Sequence, residues 1–187
     1  LTSKDTVFSG CDRNVYGALF RLYDNIPTIT LNLTMGIEGF WNGNEQVSDT
    51  GRCYLRSSSS PFSIIDSSNA VLGNWGFATF VFHNAPSGTY YIQTGQRNSL
   101  ETWSRKPASG TFALLFAIQF TSFNSFLKYD FTTSASFTFG NNSVKVDNAP
   151  SEFAMYSGDV NQDDFINLDD VIAIYNDAGI FASGYRS

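Results

Sequence analysis

The segment TITLNLTMGI, residues 28–37, determines the fold class of this chain. Its apolar side chains stand at every second position, namely Ile29, Leu31, Leu33, Met35 and Ile37, and small or polar residues fill the positions between them. Successive side chains of a β-strand point to opposite faces of a sheet. The alternation therefore predicts a strand with one buried and one exposed face, which must pack against a second layer.

Strand-like segments separated by turn residues follow along most of the chain. They are residues 52–56, 62–65, 76–82, 90–92, 111–123, 128–132, 135–139 and 143–146. The turn sequence NAPSG at 84–88 predicts that the strands before and after it form a hairpin. About eight or nine short strands, with no helical pattern before residue 168, predict a mainly β protein built as an antiparallel β-sandwich.

The charged residues are distributed unevenly. Residues 151–187 contain seven acidic side chains and one basic side chain, whereas residues 1–150 contain ten of each. A neutral body without a basic cluster predicts no binding to nucleic acid. The longest apolar run, 112–118, is far shorter than the roughly 20 residues that a membrane-spanning helix needs, so no transmembrane segment is predicted.

The chain divides into three predicted parts. Residues 1–27 form an N-terminal extension, which contains a strand-like alternation at 17–23 and is interpreted as a strand or an assembly arm. Residues 28–150 form the sandwich. Residues 151–187 form a calcium-binding appendage, separated from the sandwich near Pro150.

Two cysteines, Cys11 and Cys53, leave two alternatives open. They form a single disulfide that joins the N-terminal segment to the body, or they are two buried free thiols.

The segment GDVNQDDFINLDDV, residues 158–171, carries the clearest chemistry. If Asp159 is position 1, oxygen-bearing side chains stand at positions 1, 3, 5, 9 and 12 of a twelve-residue loop, and a backbone carbonyl is available at position 7. These residues are Asp159, Asn161, Asp163, Phe165 (carbonyl), Asn167 and Asp170. The spacing is that of an EF-hand loop, which supplies the hard oxygen ligands that Ca²⁺ requires. The alternative is an acidic turn before a helix that binds no ion.

A short amphipathic helix is predicted after the loop, from about 169 to 178. Val171, Ile172 and Tyr175 recur at helical spacing and form a predicted docking face, and Gly179 is a typical residue for the end of a helix.

The loop and the residues after it resemble a type I dockerin repeat, which implies calcium binding. In this chain Asp164 stands at position 6, where the repeat carries glycine, and Leu168 and Asp169 replace the hydroxyl pair that dockerins use for cohesin recognition. Dockerins also pair two loops, whereas this sequence contains one. The unpaired helix face therefore needs cover from its own sandwich, another subunit, a second calcium hand or another surface protein.

The segment NAPSGTYYI, residues 84–92, follows an apolar strand and resembles the corresponding part of carboxypeptidase-regulatory-like and transthyretin-like β-sandwiches of secreted bacterial surface proteins. This resemblance covers about residues 28–105. It implies a structural or binding module without catalytic activity of its own.

Residues suited to catalysis are few, and the sequence predicts no enzyme. His83 is the only histidine, and no serine lies in a nucleophile motif, which disfavours a catalytic triad and a zinc site. A glycosidase would need two paired carboxylates, and no glutamate lies in a suitable context; the four are Glu38, Glu45, Glu101 and Glu152. Three tryptophans, Trp41, Trp75 and Trp103, are either sugar-stacking platforms or packing residues.

These observations predict a secreted, non-enzymatic, calcium-binding structural protein that self-associates into an extracellular or cell-surface assembly, such as a filament or layer. Export is expected because weak calcium sites and strand-rich domains are typical of extracellular proteins. The sequence starts at Leu1 and not at Met, so it is either processed or trimmed. The alternative is a carbohydrate-binding or dockerin-linked module of a larger secreted polysaccharide-degrading enzyme.

Overall fold

The computed structural model describes residues 28–86, 88–105, 118–120 and 126–184, with the backbone alone described at 118–120, 126 and 127. Within these ranges the chain forms ten strands and one α-helix. The strands are β1 (Ile29–Thr34), β2 (Asp49–Ser57), β3 (Ile64–Leu72), β4 (Phe77–Phe82), β5 (Gly88–Gly95), β6 (Thr102–Trp103), β7 (Ile118–Phe120), β8 (Phe126–Asp130), β9 (Val144–Asn148) and β10 (Ser151–Ala154), and the helix is α1 (Leu168–Gly179).

The strands form two main sheets and a small hairpin. One sheet has the order β4-β1-β8, the other has the order β3-β2-β5-β6 with β7 also paired to β5, and β9 pairs with β10. All pairs are antiparallel except β1 with β8, which is parallel. The predicted mainly β fold, an antiparallel sandwich with a short C-terminal helix, is therefore confirmed.

Strand β1 lies at the centre of its sheet and shows the predicted alternation. Ile29, Leu31 and Leu33 are buried in the core, and the residues between them are half-buried. The core continues beyond the strand through Met35 and Ile37, neither of which is exposed to solvent. One face of this segment therefore packs against the second sheet, as its sequence indicates.

The predicted hairpin across residues 84–88 is wrong. Strand β4 pairs with β1, whereas β5 pairs with β2 in the other sheet. Contacts across the sandwich hold the connection: the Asn84 N–H donates to Asp66 Oδ2 at 2.7 Å, and Ala85 is fully buried. The turn residues correctly indicate a change of direction. The chain does not pair β5 with β4, however; it crosses to the other sheet, and the two strands face the same core from opposite sides.

The predicted strand at 135–139 is also wrong, because these residues form two short 3-10 turns, Ala135–Phe137 and Phe139–Asn141. Ser134 accepts a hydrogen bond from the Ser136 N–H and so starts the first turn. Gly140 has a φ of 66° inside the second turn, which is incompatible with an extended strand.

Several predictions fall on residues outside the described ranges. The N-terminal extension 1–27, with Cys11, and most of the predicted strand 111–123 belong to this group. The predicted boundary at Pro150 lies in the turn between β9 and β10, and Met155 beyond it is buried in the core. The division of the chain into parts stays a prediction. Among the described residues, no helix has the length and apolar character that crossing a membrane requires.

A truncation in β4 tests the sandwich core. Phe80 is fully buried and Phe77, three residues earlier in the same strand, is 47% exposed. We expect Phe80→Ala to lower the free energy of unfolding by about 3–5 kcal/mol, because it removes buried apolar surface and leaves a cavity. The matched change Phe77→Ala should cost about 1 kcal/mol or less. Equal losses in denaturant unfolding would contradict the assignment of the two faces of β4.

Candidate calcium site

The segment that leads into the 159–170 loop is pinned to the sandwich. The Met155 N–H donates to the Gly36 carbonyl at 2.8 Å, directly after β1, and the Gly158 N–H donates to the Asn98 carbonyl at 2.7 Å, directly after β5. These contacts tie the start of the loop to both sheets. The first predicted ligand therefore begins from a fixed backbone position.

A second anchor joins the middle of the loop to β2. Arg52 Nη2 donates to Gln162 Oε1 at 3.0 Å, although the two residues lie 110 positions apart in the chain. Neither residue is identifiable from the sequence as part of the site, because nothing in local spacing indicates that a β2 side chain reaches the loop. The anchor holds the loop over the five-stranded sheet.

Asp159, at position 1, is buried and its carboxylate points into the loop. It accepts hydrogen bonds from the N–H groups of Asp163 and Asp164, both at 3.1 Å. The loop backbone therefore wraps round this carboxylate.

Asp170, at position 12, is buried to the same extent and closes the loop. Its Oδ1 accepts from the N–H groups of Val160 at 2.7 Å and Asn161 at 3.3 Å, and its Oδ2 accepts from the Asn167 N–H at 2.9 Å. Asn167 is the N-cap of α1 and forms a capping box with Asp170. One aspartate thus ends the loop and begins the helix.

The remaining predicted side-chain ligands also orient the loop backbone. Asn161 Oδ1 accepts from the Asp163 N–H at 3.1 Å, and Asp163 Oδ1 accepts from the Phe165 N–H at 3.0 Å. Asn167 Oδ1 accepts from the Asp169 N–H at 2.6 Å. Each of these three side-chain oxygens therefore accepts a hydrogen bond from the backbone two residues further along the loop. The role of the Phe165 carbonyl stays a prediction.

Two loop residues adopt left-handed backbone conformations. Gln162 has a φ of 60°, and Asp164, at position 6, has a φ of 67°. Position 6 of an EF-hand loop is normally glycine because the chain turns sharply there. The chain makes this turn with an aspartate, a residue that tolerates the left-handed region better than most.

Replacing Asp164 tests this backbone strain. We expect Asp164→Gly to raise the free energy of unfolding by about 0.5–1 kcal/mol, since glycine has no Cβ to oppose a positive φ and the gain exceeds its greater chain entropy in the unfolded state. Asp164→Asn removes the same charge and keeps the Cβ, so it is the control and should stay near wild type. If both variants shift the melting temperature equally, charge and not strain is the cause.

Burial and backbone hydrogen bonding shift the pKa values of the two buried carboxyl groups, Asp159 and Asp170, in opposite directions. Burial raises the pKa of Asp159, the nearby Asp170 carboxylate adds to the increase, and the N–H groups of Asp163 and Asp164 oppose it. Burial alone would also raise the pKa of Asp170, but its backbone N–H donors together outweigh burial and hold that pKa below its usual value. The two carboxylates repel each other, and a cation would relieve this repulsion.

The loop residues fit a hard cation by their chemistry. All the predicted ligands are oxygen donors, as Ca²⁺ prefers. Each oxygen of Asp159 accepts one N–H group at 3.1 Å, and a carboxylate offers about four lone-pair sites, so Asp159 retains acceptor capacity. Across the part of the chain that the structure describes, no group of three or more His, Cys, Asp or Glu side chains is arranged as a metal site. The three predicted carboxylate ligands Asp159, Asp163 and Asp170 are thus not gathered as such a group, and the donor set stays a prediction.

The predicted docking face of α1 is exposed. Val171, Ile172 and Tyr175 are 59%, 47% and 77% exposed, and the buried residues of the helix are Asp170 and Ala173. The exposed apolar surface is also wider than predicted. It includes Phe165, Ile166, Leu168, Ile174, Ile180 and Phe181.

The three tryptophans do not form one site. Trp41 and Trp75 line a cavity of about 190 Å³ near the end of β1. Trp103 lines a separate cavity of about 650 Å³, whose other walls include Phe62, Tyr91, Leu100, Phe139 and Asp164. In that cavity the Trp103 Nε1–H donates to Glu101 Oε1 at 2.8 Å, and the Arg56 guanidinium lies 5.1 Å from the ring centroid.

Cys53 is fully buried in the core, and burial raises the pKa of its thiol. Its predicted partner Cys11 lies outside the described residues, so the disulfide stays a prediction.

No protein-family model matches this chain, and a comparison with curated proteins gives no significant match. The dockerin-like and carboxypeptidase-regulatory-like resemblances therefore rest on the quoted residues alone and stay predictions.

Proposed function

We propose that this chain is a calcium-binding structural protein without enzymatic activity, in which one Ca²⁺ ion organises the 159–170 loop. The observation that supports the proposal is the burial of the residues at the first and last predicted ligand positions. Asp159 and Asp170 are buried together at the closure of one loop, with the loop N–H groups directed at their carboxylates. A divalent ion offsets this buried negative charge and fixes the start of α1.

Self-association is the second part of the proposal. Soluble monomers rarely expose large contiguous apolar patches, and such patches mark interaction surfaces. The loop and helix expose large apolar side chains along most of their length, including Leu168, Val171 and Tyr175. The body, residues 1–150, has balanced charges, so repulsion between copies comes from the net charge of −6 in residues 151–187, two units of which one bound Ca²⁺ ion offsets. We place this assembly outside the cell, where calcium is abundant.

Electron microscopy of the purified chain tests this function. With about 5 mM calcium, a concentration above the roughly 10⁻⁴–10⁻³ M dissociation constants of extracellular sites, we expect ordered polymers. A chelator should dissolve or loosen them, and restored calcium should return them. Magnesium at the same concentration is the control for ionic strength. Monodisperse monomers under all conditions, measured by light scattering, would reject the assembly.

A carbohydrate-binding module is the second candidate function. The cavity beside Trp103 favours it, because an aromatic ring held by a hydrogen bond and a guanidinium is a rigid surface on which a sugar ring can stack. Glu101 and Asn142 also line this cavity and offer polar groups to hydroxyls. We expect Trp103→Ala to abolish any binding on a glycan array and Trp75→Ala, outside this cavity, to retain it. No binding by the wild-type chain would reject this function.

A further inference from the structure

A small cavity lies beside the end of β1 and is separate from the cavity that contains Trp103. Its volume is about 190 Å³, whereas pockets for drug-sized ligands measure roughly 300–1,000 Å³. Its walls come from the ends of β1 and β8, from the β9–β10 hairpin, and from the two turns that carry Trp41 and Trp75. The cavity therefore fits one small chemical group.

Backbone hydrogen bonds hold the two tryptophans in one unit. Trp41 forms a β-bridge with Gln46, and the Gln46 N–H donates to the Asn74 carbonyl at 2.8 Å, next to Trp75. Gln46 is buried, and its Oε1 accepts from the Ile37 N–H at 3.1 Å. This buried glutamine thus fastens both tryptophan-bearing turns to the segment that follows β1.

Two carboxylates and a third aromatic ring complete the lining. Asp130, at the end of β8, is in register with Thr34 of β1. The Phe153 N–H donates to the Thr132 carbonyl at 2.9 Å, which places β10 beside the chain that leaves β8. Phe153, Glu152 and Asp130 all line the cavity. Three aromatic side chains and two acidic ones therefore surround one small volume.

The negative charge of this cavity is not balanced within the described part of the chain. No described Lys, Arg or His lines it, and neither Asp130 nor Glu152 forms an ion pair there. Asp130 Oδ1 accepts from the N–H and the hydroxyl of Thr132 at 2.9 and 2.7 Å, which orients the carboxylate. The cavity is therefore suited to a cation.

The aromatic rings select the kind of cation. A metal ion such as Ca²⁺ needs six to eight oxygen ligands, and the described residues hold no group of three or more His, Cys, Asp or Glu side chains arranged as a metal site. An organic cation is attracted by the faces of aromatic rings, and aromatic cages are typical sites for quaternary ammonium groups. The methyl groups of such a cation also bury apolar surface against the rings.

We propose that the cavity formed by Trp41, Trp75 and Phe153 binds the quaternary ammonium group of a small molecule. Asp130 and Glu152 offset its charge, and the aromatic rings contact its methyl groups. The site requires neither the 159–170 loop nor self-association, so its test is independent of the proposed function.

Two-dimensional ¹H–¹⁵N NMR of the full chain tests the site, because the chain contains three tryptophans and each gives one indole N–H signal. Choline chloride is the probe, and sodium chloride keeps the ionic strength constant. We expect the signals of Trp41 and Trp75 to shift together, with a dissociation constant on the order of 1 mM. The Trp103 signal should not move, because Trp103 lines the other cavity. Absence of any shift, or an equal shift of all three signals, would overturn the proposal.

Three further ligands separate charge, shape and source. The alcohol 3,3-dimethylbutan-1-ol has carbon in place of the choline nitrogen, and ammonium chloride has the charge without the methyl groups. Each should bind at least about tenfold more weakly than choline. Equal binding by either one would overturn the assignment to a quaternary ammonium group. The N-acetyl methylamide of trimethyllysine represents a protein side chain, and binding about tenfold tighter than that of choline would overturn the assignment to a small molecule.

Variants locate the binding in this cavity. Trp75 is 66% exposed, so Trp75→Ala should fold normally and weaken choline binding about tenfold, measured at the Trp41 signal. Glu152→Gln keeps the shape of the side chain, removes its charge and should also weaken binding severalfold. Trp103→Ala is the matched control and should bind choline as the wild-type chain does. Wild-type affinity in both Trp75→Ala and Glu152→Gln would overturn the proposal.

Discussion

Asp159→Ala is expected to abolish the calcium-dependent rise in melting temperature. An ion that binds the folded chain at a concentration 100-fold above its dissociation constant stabilises it by about 2.7 kcal/mol. For a domain of this size, that corresponds to about 5–10 °C. The substitution also removes the carboxylate acceptor of the Asp164 N–H, whereas the Asp163 N–H keeps Asn161 Oδ1, and this loss should cost about 1 kcal/mol even with calcium absent.

Asp169→Ala is the matched control for this result. It removes the same charge from the same acidic segment, but Asp169 is exposed and does not occupy a ligand position of the loop. Its calcium response should equal that of the wild-type chain in differential scanning fluorimetry. If Asp159→Ala keeps the full response, or if Asp169→Ala loses it as completely, the ion binds elsewhere or through net charge alone.

Gly76→Ala is expected to have the largest effect of any single methyl group added to the sandwich. Gly76 has a φ of 70°, and a Cβ at this position would stand 2.3 Å from the Met35 carbonyl oxygen. The clash cannot be relieved by a side-chain rotation, because the Met35 N–H also donates to the Gly76 carbonyl at 2.9 Å and Met35 is fully buried. We expect the free energy of unfolding, measured with denaturant, to fall by about 3 kcal/mol or more. The left-handed conformation of residue 76 accounts for about 1–2 kcal/mol of this loss.

Gly140→Ala separates the cost of the steric clash from the cost of placing a Cβ on a left-handed backbone. Gly140 has nearly the same φ, 66°, but nothing lies within 4 Å of a Cβ built there. This variant should lose only the cost of the left-handed conformation, about 1–2 kcal/mol. If both variants lose the same free energy, the close approach of Gly76 to Met35 does not contribute to stability.

The strands of the core could be predicted because their signal is local. In β1 every second side chain is apolar, and those side chains are the buried ones; in β4 the buried side chains are also every second one, although Phe77 and Val81 on the other face are apolar. Such alternation indicates which face of a strand is buried and which is exposed to solvent. It can be read from the polarity of each residue without knowledge of the strand's partners. The mainly β class and the exposed helix after the loop follow from the same kind of pattern.

Strand partners could not be predicted from the same signal. The NAPSG turn reverses the chain, yet β4 and β5 join different sheets, and the choice depends on pairing with β1 and β2, which are distant in sequence. Residues 135–139 also alternate, but the Ser134 side chain and Gly140 favour turns. Local hydrogen bonds here override the strand pattern.

The loop shows the same division between local and long-range information. Its helix start could be predicted, since an N-cap is a local feature, whereas its ligand spacing stays a prediction. The anchors from Arg52 to Gln162 and from Asn98 to Gly158 could not, because they join residues that are distant in the chain. These anchors connect the loop to the sandwich, so the proposed calcium binding would also stabilise the body.

The most direct test of the central claim is equilibrium dialysis of the chelator-treated chain against radioactive calcium. We expect about one ion per chain, with a dissociation constant between about 10⁻⁵ and 10⁻³ M, the range of sensor and extracellular sites. Asp159→Ala should bind less than one tenth as much at the same calcium concentration. If the wild-type chain binds no calcium at about 5 mM, or if Asp159→Ala binds as much as wild type, the 159–170 loop is not the calcium site.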